Sequence, residues 1–535
     1  MRLDYVSPLP PVRSGIADYS VDLLPHLAAR ADVRLIHLPD QPLAPEVAAR
    51  WPVAPFEAAG HDEHGARLPL YQMGNNRWHE EVMRLAFRLP GVLTLHDVLL
   101  HHVLLDMTLG REEFDPYVER LTRDHGWIGR TAALVKRWGA YGDAVVFALP
   151  AHRSLLRSQR GVLVHSEWAA GVIREEDPEI RVRAIPMGIP LPPPADPAAG
   201  RRIRERFGLP PAAPVLGSFG FQTPIKRTGA VIRALARPGL EEVHLLVVGE
   251  VSPAVDLEGE ARQAGVAERV HLTDFLSYED FEAAIAAVDL CLNLRYPTAG
   301  ETSASLLRVL ALGVPAIVSD YAQFADLPRE VALRVPLGDD EADALAAMLR
   351  DLLARPERLR AMGEAARELI RGRHAPERSA AAVVDAAREW HDLPPPGELP
   401  GSRSEDGPDV PAPSSLAWGR LDGTLEVEGA ELPWPEGERR TLSLRLKNTG
   451  FARWLAGEKG PGGVAVVVKL FVDGQDLLEG RPWLALKRDL LPGEEARFAT
   501  EVRRPPGPAW LWIEPHLFGG LGISQYGGPH WERHL

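Results

Sequence analysis

Cysteine is almost absent: the 535 residues contain one, Cys291. That excludes an intrachain disulfide and a thiolate-built zinc cage, and it suits a reducing compartment. The setting Leu290-Cys291-Leu292 reads as a buried strand, so core packing rather than nucleophilic attack is the expected role of the thiol. Long apolar runs are missing too. No window approaches the roughly 18 uninterrupted apolar residues that a membrane-spanning helix requires. The opening Met1-Arg2-Leu3-Asp4-Tyr5 lacks the basic segment and apolar stretch of a secretory leader. A cytoplasmic protein is expected, with at most peripheral contact at the inner membrane face. A basic excess is also lacking: 60 Lys and Arg face 74 Asp and Glu, for a net charge of -14. This argues against a general electrostatic grip on nucleic acid, which needs a basic face to neutralise phosphates, and leaves only local basic patches open.

What is present is ordinary globular composition, 45% hydrophobic and 25% charged, in a chain long enough for about three domains. The first segment alternates apolar strands with helical spacing. Leu3 to Val6 is a strand, Ser7 to Gly15 a loop, and Ile16, Tyr19, Leu23, Leu24 and Leu27 mark one face of a helix before a second strand at Val33 to His37. Such a start opens a parallel, doubly wound sheet. Further strands are expected at Pro69 to Gln72, Val92 to Leu95 and Gly161 to His165. The helix-hostile passage Pro190 to Pro197 sets a first domain at 1–190.

A second β/α series occupies 191–393, with strands at Val215 to Phe219, His244 to Val248, Val270 to Leu272, Leu290 to Leu294 and Pro315 to Ser319. Helices are expected at Thr228 to Ala236, Tyr278 to Val288 and Ser303 to Leu312. A Pro, Gly, Ser and acid-rich stretch, 394–415, reads as a flexible linker. Beyond it, 416–535 shows short alternating runs at Thr424 to Val427, Thr441 to Leu446, Val464 to Val472, Ala496 to Val502 and Ala509 to Ile513. These predict a small antiparallel sandwich.

Chemistry concentrates where strands end. After Leu290 to Leu294 come Arg295, a loop with Pro297 and Gly300, and Glu301-Thr302-Ser303 opening a helix that Gly313 closes. A helix start offers unpaired N-H groups and a positive dipole end to a diphosphate, and Glu301 beside it can accept hydrogen bonds from sugar hydroxyls. Simple N-capping by Thr302 or Ser303, with a solvated glutamate, is the plainer alternative. After Val215 to Phe219, Gly220 permits close backbone approach and Lys226 offers an ammonium to a diphosphate, unless it is merely solvated. After Val92 to Leu95 comes His96, which either bonds a loop or faces a ligand. Asp97, His101 and His102 lie nearby without the spacing of a metal site.

These segments, in this order, resemble the retaining family-4 glycosyltransferases. Leu310-Ala311-Leu312-Gly313-Val314-Pro315 matches the tail of the family's signature. Aligned on it, Glu301 falls beside the first of two expected glutamates. Arg308 replaces the second, which in the family binds the nucleotide ribose; it either faces the nucleotide or, as the plainer reading, occupies an exposed helix position. Lys226 fits the family's phosphate-binding lysine. Phe221 stands where its arginine partner is expected, leaving Arg227 or Arg295 to supply that charge. The opening loop SPLPPVRSGIADYS, with Ser14 and Gly15, and the segments Tyr71 to Asn76 and Thr94 to Asp97 match family regions lining the cleft. Asn448-Thr449-Gly450, Trp454 and Leu491-Pro492-Gly493-Glu494 resemble immunoglobulin-like modules.

The resemblance implies a GT-B fold, with two Rossmann-like doubly wound domains facing across a cleft plus the C-terminal sandwich. It implies transfer of a sugar from a nucleotide diphosphate sugar, with retention, to a hydroxyl of a glycan or lipid-linked saccharide, without metal or cofactor. His96, Glu301 and Lys226 would be catalytic. Gly15, Gly220, Lys226, Arg227, Arg295, Glu301, Thr302 and Ser303 would hold the donor, and Ser14, Asn75, His96 and Asp97 would lie on the acceptor side. A nucleotide-sugar epimerase or hydrolase on the same fold, and a catalytically degenerate glycan-binding or assembly protein, are the rival readings.

Overall fold

The structure is a computed structural model that describes residues 1–137, 144–193, 196–397, 421, 423–450, 453–457, 463–478, 483–517 and 529–535. Most of the expected linker, 398–415, lies outside the described residues. The chain divides into two compact units, one formed by residues 1–103 and 159–396, the other by 104–158 and 397–535.

The first unit holds two parallel sheets. In the first, the strand order is Val53–Pro55, Asp32–His37, Arg2–Val6, Leu68–Met73, Val92–Leu95, Gly161–Val164 and Val182–Ala184. In the second it is Val270–Leu272, His244–Val248, Val215–Phe219, Leu290–Asn293, Ala316–Ser319 and Ala332–Val335. The central strands are buried on both faces, which explains why they are mostly apolar, with buried polar residues such as Asp4, Gln72, Thr94 and Ser218 as exceptions. Edge strands Val53–Pro55, Val182–Ala184 and Ala332–Val335 are short and carry half-buried or exposed positions, and the apolar pattern did not reveal them. In each sheet the chain builds outward from a central strand, then returns to that strand's other side. The turnover points lie between Arg2–Val6 and Leu68–Met73 and between Val215–Phe219 and Leu290–Asn293, where such sheets take ligands at strand C-termini.

The chain crosses between the sheets twice, and the crossings are bonded. Ile189 N-H donates to the His374 carbonyl at 3.0 Å, and His374 Nδ1 donates to the Met187 carbonyl at 2.9 Å. The helix Pro376–Trp390 then packs on the first helix, Gly15–Ala28, rather than on the second sheet. Trp390 lies so close to Gly161 that a Cβ there would fall 2.1 Å from the indole.

In the second unit, residues 104–158 include the long helix Phe114–Arg137, broken at Gly126 (φ 60°), and have their own core around Tyr117, Leu121 and Val146. The C-terminal part is all β. A three-stranded antiparallel sheet of Gly423–Glu428, Arg439–Asn448 and Glu495–Arg503 shares one core with a second sheet containing Gly463–Val472, Trp510–Leu517 and Trp531–His534. The Asn448 pattern joins turns: Asn448 N-H donates to the Glu494 carbonyl at 3.0 Å, and Gly493 N-H returns a bond to the Asn448 carbonyl at 2.8 Å. Trp454 is fully buried beneath them.

Candidate functional site

The cationic side of the site grows from the second sheet. Strand Val215–Phe219 ends at Gly220, whose φ of +89° a side chain would resist. A one-turn helix, Pro224–Lys226, carries Lys226 back beneath it. The Lys226 ammonium donates to the Phe219 carbonyl, and a Cβ at Gly220 would lie 3.0 Å from Nζ. Burial, and then the charge of Arg295, pull this lysine down to about 7, with Cys291 and Glu301 opposing. The Cys291 thiol is buried and pushed up to about 12 by desolvation, so it is inert at neutral pH.

From the adjacent strand, Leu290–Asn293, the loop to Ser303 folds around one carboxylate. Arg295 Nη1 donates to Glu301 Oε1 at 2.8 Å. Thr298 Oγ1 and the Ala299 N-H donate to Oε2 at 2.8 and 3.0 Å. Gln323 Nε2 locks the loop from outside, bonding the Glu301 carbonyl at 2.7 Å and Thr298 Oγ1 at 3.0 Å. Glu301 thus braces the loop and holds the Arg295 charge in place. The helix begins at Ala304, one turn position later than the sequence suggested, because Ser303 is its N-cap: Oγ accepts from Leu306 N at 3.3 Å while Ser303 itself is extended. Thr302 and Ser303 therefore precede the helix, and Ala304 and Ser305 supply its leading amides.

The opposing side comes from the first sheet. Ser14 caps the first helix through Ile16 N at 3.3 Å, and Gly15 opens that helix with empty space on its side-chain side. Asn75 is spent on architecture: Oδ1 accepts from His102 N and Val103 N at 2.8 and 3.1 Å, capping the helix His101–Met107. Its own N-H donates to Asp97 Oδ2 at 2.9 Å. Burial and then the charge of Glu301 push Asp97 up to about 7, while Asn75 and Arg295 pull it down. Asp97 and Glu301, from different sheets, therefore sense one another. The two loops touch directly: Leu99 N-H donates to the Ala299 carbonyl at 3.1 Å. Gly300, at φ +80°, fits against Val98 and Trp168 where a Cβ would clash.

His96 lies behind Asp97, buried. Its Nε2 is 2.9 Å from the Gln72 side-chain oxygen, so that nitrogen carries the proton and Nδ1 keeps a bare lone pair. Its ring meets Tyr19 and His165 at 4.9 Å each. His165 Nδ1 donates to the Ile185 carbonyl at 3.3 Å and His79 Nδ1 to Asn76 Oδ1 at 3.1 Å. Burial drives all three imidazoles towards neutrality, His165 to about 4, His79 to about 3 and His96 well below its usual value. His96 Nδ1, the Nε2 atoms of His165 and His79, and the Tyr19 hydroxyl are buried without hydrogen-bond partners. His79, His165 and Gln323 were not nominated from the sequence, and Gln72 was named only as part of the cleft-lining segment Tyr71 to Asn76. Gln72 and His165 sit at strand ends, the one signal that pointed to them.

Two arginines go elsewhere. Arg227 is turned to the buried Glu341, its Nε 2.9 and 2.7 Å from the two carboxylate oxygens, so its charge is already matched. Arg308 is not an exposed helix position. Its guanidinium lies 3.5 Å from Asp22 of the first helix and 4.9 Å over the Tyr278 ring. Desolvation raises both Asp22 and Asp18 beside it, and Arg308 opposes this. Phe221 is 54% exposed and brings no charge. Arg295 is the guanidinium that accompanies Lys226. Among the described residues, no group of three or more His, Cys, Asp or Glu is arranged to hold a metal ion.

Two parallel doubly wound sheets meeting at their strand C-termini define the GT-B fold, to which this chain adds the all-β C-terminal region. Two solved structures share the paired-sheet fold. Sucrose-phosphate synthase from Thermosynechococcus elongatus superposes with a TM-score of 0.52 at 18% identity, over 73% of this chain and 99% of that one. Anabaena HepE in complex with UDP and glucose gives 0.51 at 15% identity, over 73% and 100%.

Within that class, residues 213–355 match the family described as glycosyl transferases group 1. The chain is also 29% identical over 254 residues to the GDP-mannose-dependent α-(1-6)-phosphatidylinositol monomannoside mannosyltransferase of Mycolicibacterium smegmatis. That match covers 45% of this chain and 62% of the relative, so the chain spans less than two thirds of that protein's length. The match to glycosyl transferases group 1 contains Gly220, Lys226, Arg295 and Glu301, the cationic side of the site.

Proposed function

We propose that the protein transfers a glycosyl group from a nucleotide diphosphate sugar to a hydroxyl of a glycan or lipid-linked saccharide, with retention and without a bound metal or cofactor. The observation carrying this reading is the convergence of Lys226, Arg295 and the Ala304 and Ser305 amides at the turnover point of the second sheet. A diphosphate placed there meets two cations and a helix N-terminus.

As the bond from the sugar's anomeric carbon to the phosphate oxygen breaks, its electron pair stays on the phosphate. Lys226 and Arg295 stabilise that charge. The acceptor oxygen bonds to the anomeric carbon from the same face, and its proton passes to the departing phosphate oxygen. Glu301 holds Arg295 and orients the sugar. Asp97 and His96 line the acceptor side, where neutral His96 presents a lone pair to a hydroxyl. Closure of the two loops excludes water and limits hydrolysis.

The test is calorimetry and thermal shift with UDP, GDP, ADP and their sugar conjugates. A ligand at about 100 times its dissociation constant stabilises the protein by about 2.7 kcal/mol. A preference for one diphosphate, lost in Lys226→Ala, is expected. No binding by any of them overturns the reading.

A further inference from the structure

We infer that the C-terminal β region carries a saccharide-binding groove of its own, separate from the site above and selective for neutral sugars. The inference begins with an asymmetry between the outer faces of its two sheets. In the three-stranded sheet, Leu442, Leu444 and Leu446 face the core, and the alternate positions Thr441, Ser443, Arg445 and Lys447 are exposed. Arg445 there pairs with Glu426, as a solvated face does. The other sheet differs. Val464, Val466, Leu470, Leu511 and Ile513 fill the core. The register Lys469 to Trp512 and Phe471 to Trp510 puts rings, not small polar groups, on the outer face. Phe471 and Trp510 pack at 5.5 Å, and Trp510 and Trp512 meet edge to face at 5.1 Å.

Along one edge of Gly463–Val472 runs a groove of about 810 Å3. It lies between the short strands Gln475–Asp476 and Leu484–Ala485, which pair with opposite ends of that edge. The hairpin beside it turns on Asp473 and Gly474, both at positive φ (50° and 83°), the conformation of a tight two-residue turn. Trp483, 40% exposed, stands over the groove and packs against His516 at 5.2 Å. Asp473, Gln475 and Thr500 add hydrogen-bonding groups.

A flat ring beside donors and acceptors matches a pyranose, which offers an apolar C-H face and a rim of hydroxyls. The charges select a neutral ligand. The groove's cation, Lys469, is matched by the buried Glu514 at 3.2 Å, and Asp473 and Asp476 would repel an anion.

The test is native affinity electrophoresis of the full chain in gels containing mannan, dextran or a mixed-linkage β-glucan. At least one polymer should retard the protein. Trp483→Ala should weaken that retardation at least about tenfold. Gln475→Ala, a surface change that keeps the aromatic ring, should weaken it less, and Lys226→Ala should leave it intact. Circular dichroism checks that the variants fold. If Trp483→Ala fails to fold, Gln475→Ala decides. The inference is overturned if no polymer retards the chain. It is equally overturned if both groove variants migrate as the parent does, or if Lys226→Ala alone abolishes retardation, which would place binding in the catalytic cleft. Because Lys226→Ala removes diphosphate binding but not retardation, failure here is distinct from failure of the transfer reading.

Discussion

The two sides of the cleft are built from the same kind of strand end yet present opposite chemistry. The second sheet offers charge: Lys226 and Arg295, with Glu301 holding the guanidinium. The first offers imidazoles kept neutral by burial, His79, His96 and His165, each with one ring nitrogen buried without a hydrogen-bond partner. Under the proposed transfer, the difference assigns a task to each half. Charge stabilises what becomes more negative during a reaction, while neutral hydrogen-bonding groups recognise hydroxyls without demanding a counter-charge.

The sharpest way to break this comparison is Lys226→Ala, which should lower kcat/KM at least about a hundredfold in a transfer assay. A near-normal rate would remove the charged side from the mechanism. Next comes His96→Ala, expected to cost roughly tenfold, a smaller loss because no charge is removed. If this loss matched that of Lys226→Ala, the two sides would not differ in kind.

The third prediction concerns pH. With Lys226 held near 7, its ammonium deprotonates as pH rises, so kcat/KM of the free enzyme should decline above about 7. Stability runs the other way. Between about 7 and the ordinary lysine value of 10.5, the unfolded chain holds a proton at this position that the folded protein lacks, so stability from this group rises with pH. Melting curves should show that rise in the parent and lack it in Lys226→Met. The smallest effect belongs to Arg308→Ala. Its pair with Asp22 at 3.5 Å is partly exposed, and its loss should cost no more than about 1 kcal/mol in denaturant unfolding.

What was legible in the sequence follows from range. The strands Val215–Phe219, His244–Val248 and Val270–Leu272 agree with their apolar runs to the residue; in the first two, burial on both faces favours a mostly apolar strand, while Val270–Leu272 is a half-buried edge strand that keeps apolar residues on either side of His271. Strand ends then located Lys226, Glu301, His96 and Asp97, since chain direction decides which end of a parallel sheet a loop occupies. The partners of those residues were hidden wherever they lie far along the chain. Glu341, 114 positions from Arg227, and Asp22, 286 positions from Arg308, left no local trace. The helix start moved by one position, from Ser303 to Ala304, because Thr302 and Ser303 are both competent caps, and only the bond from Leu306 N to Ser303 Oγ selects between them. His79 and His165 were hidden for another reason: a residue type does not disclose its burial.

The bonded double crossing at Ile189 and His374 has a mechanical consequence. A single strap would let the two sheets twist and slide as well as open. Two straps side by side, joined by a backbone hydrogen bond and continued into a helix clamped by Trp390, leave rotation about their common line as the easy motion. Any parting of the sheets would then follow the motion of a book on its spine, with Asp97 and Glu301 kept in register along it.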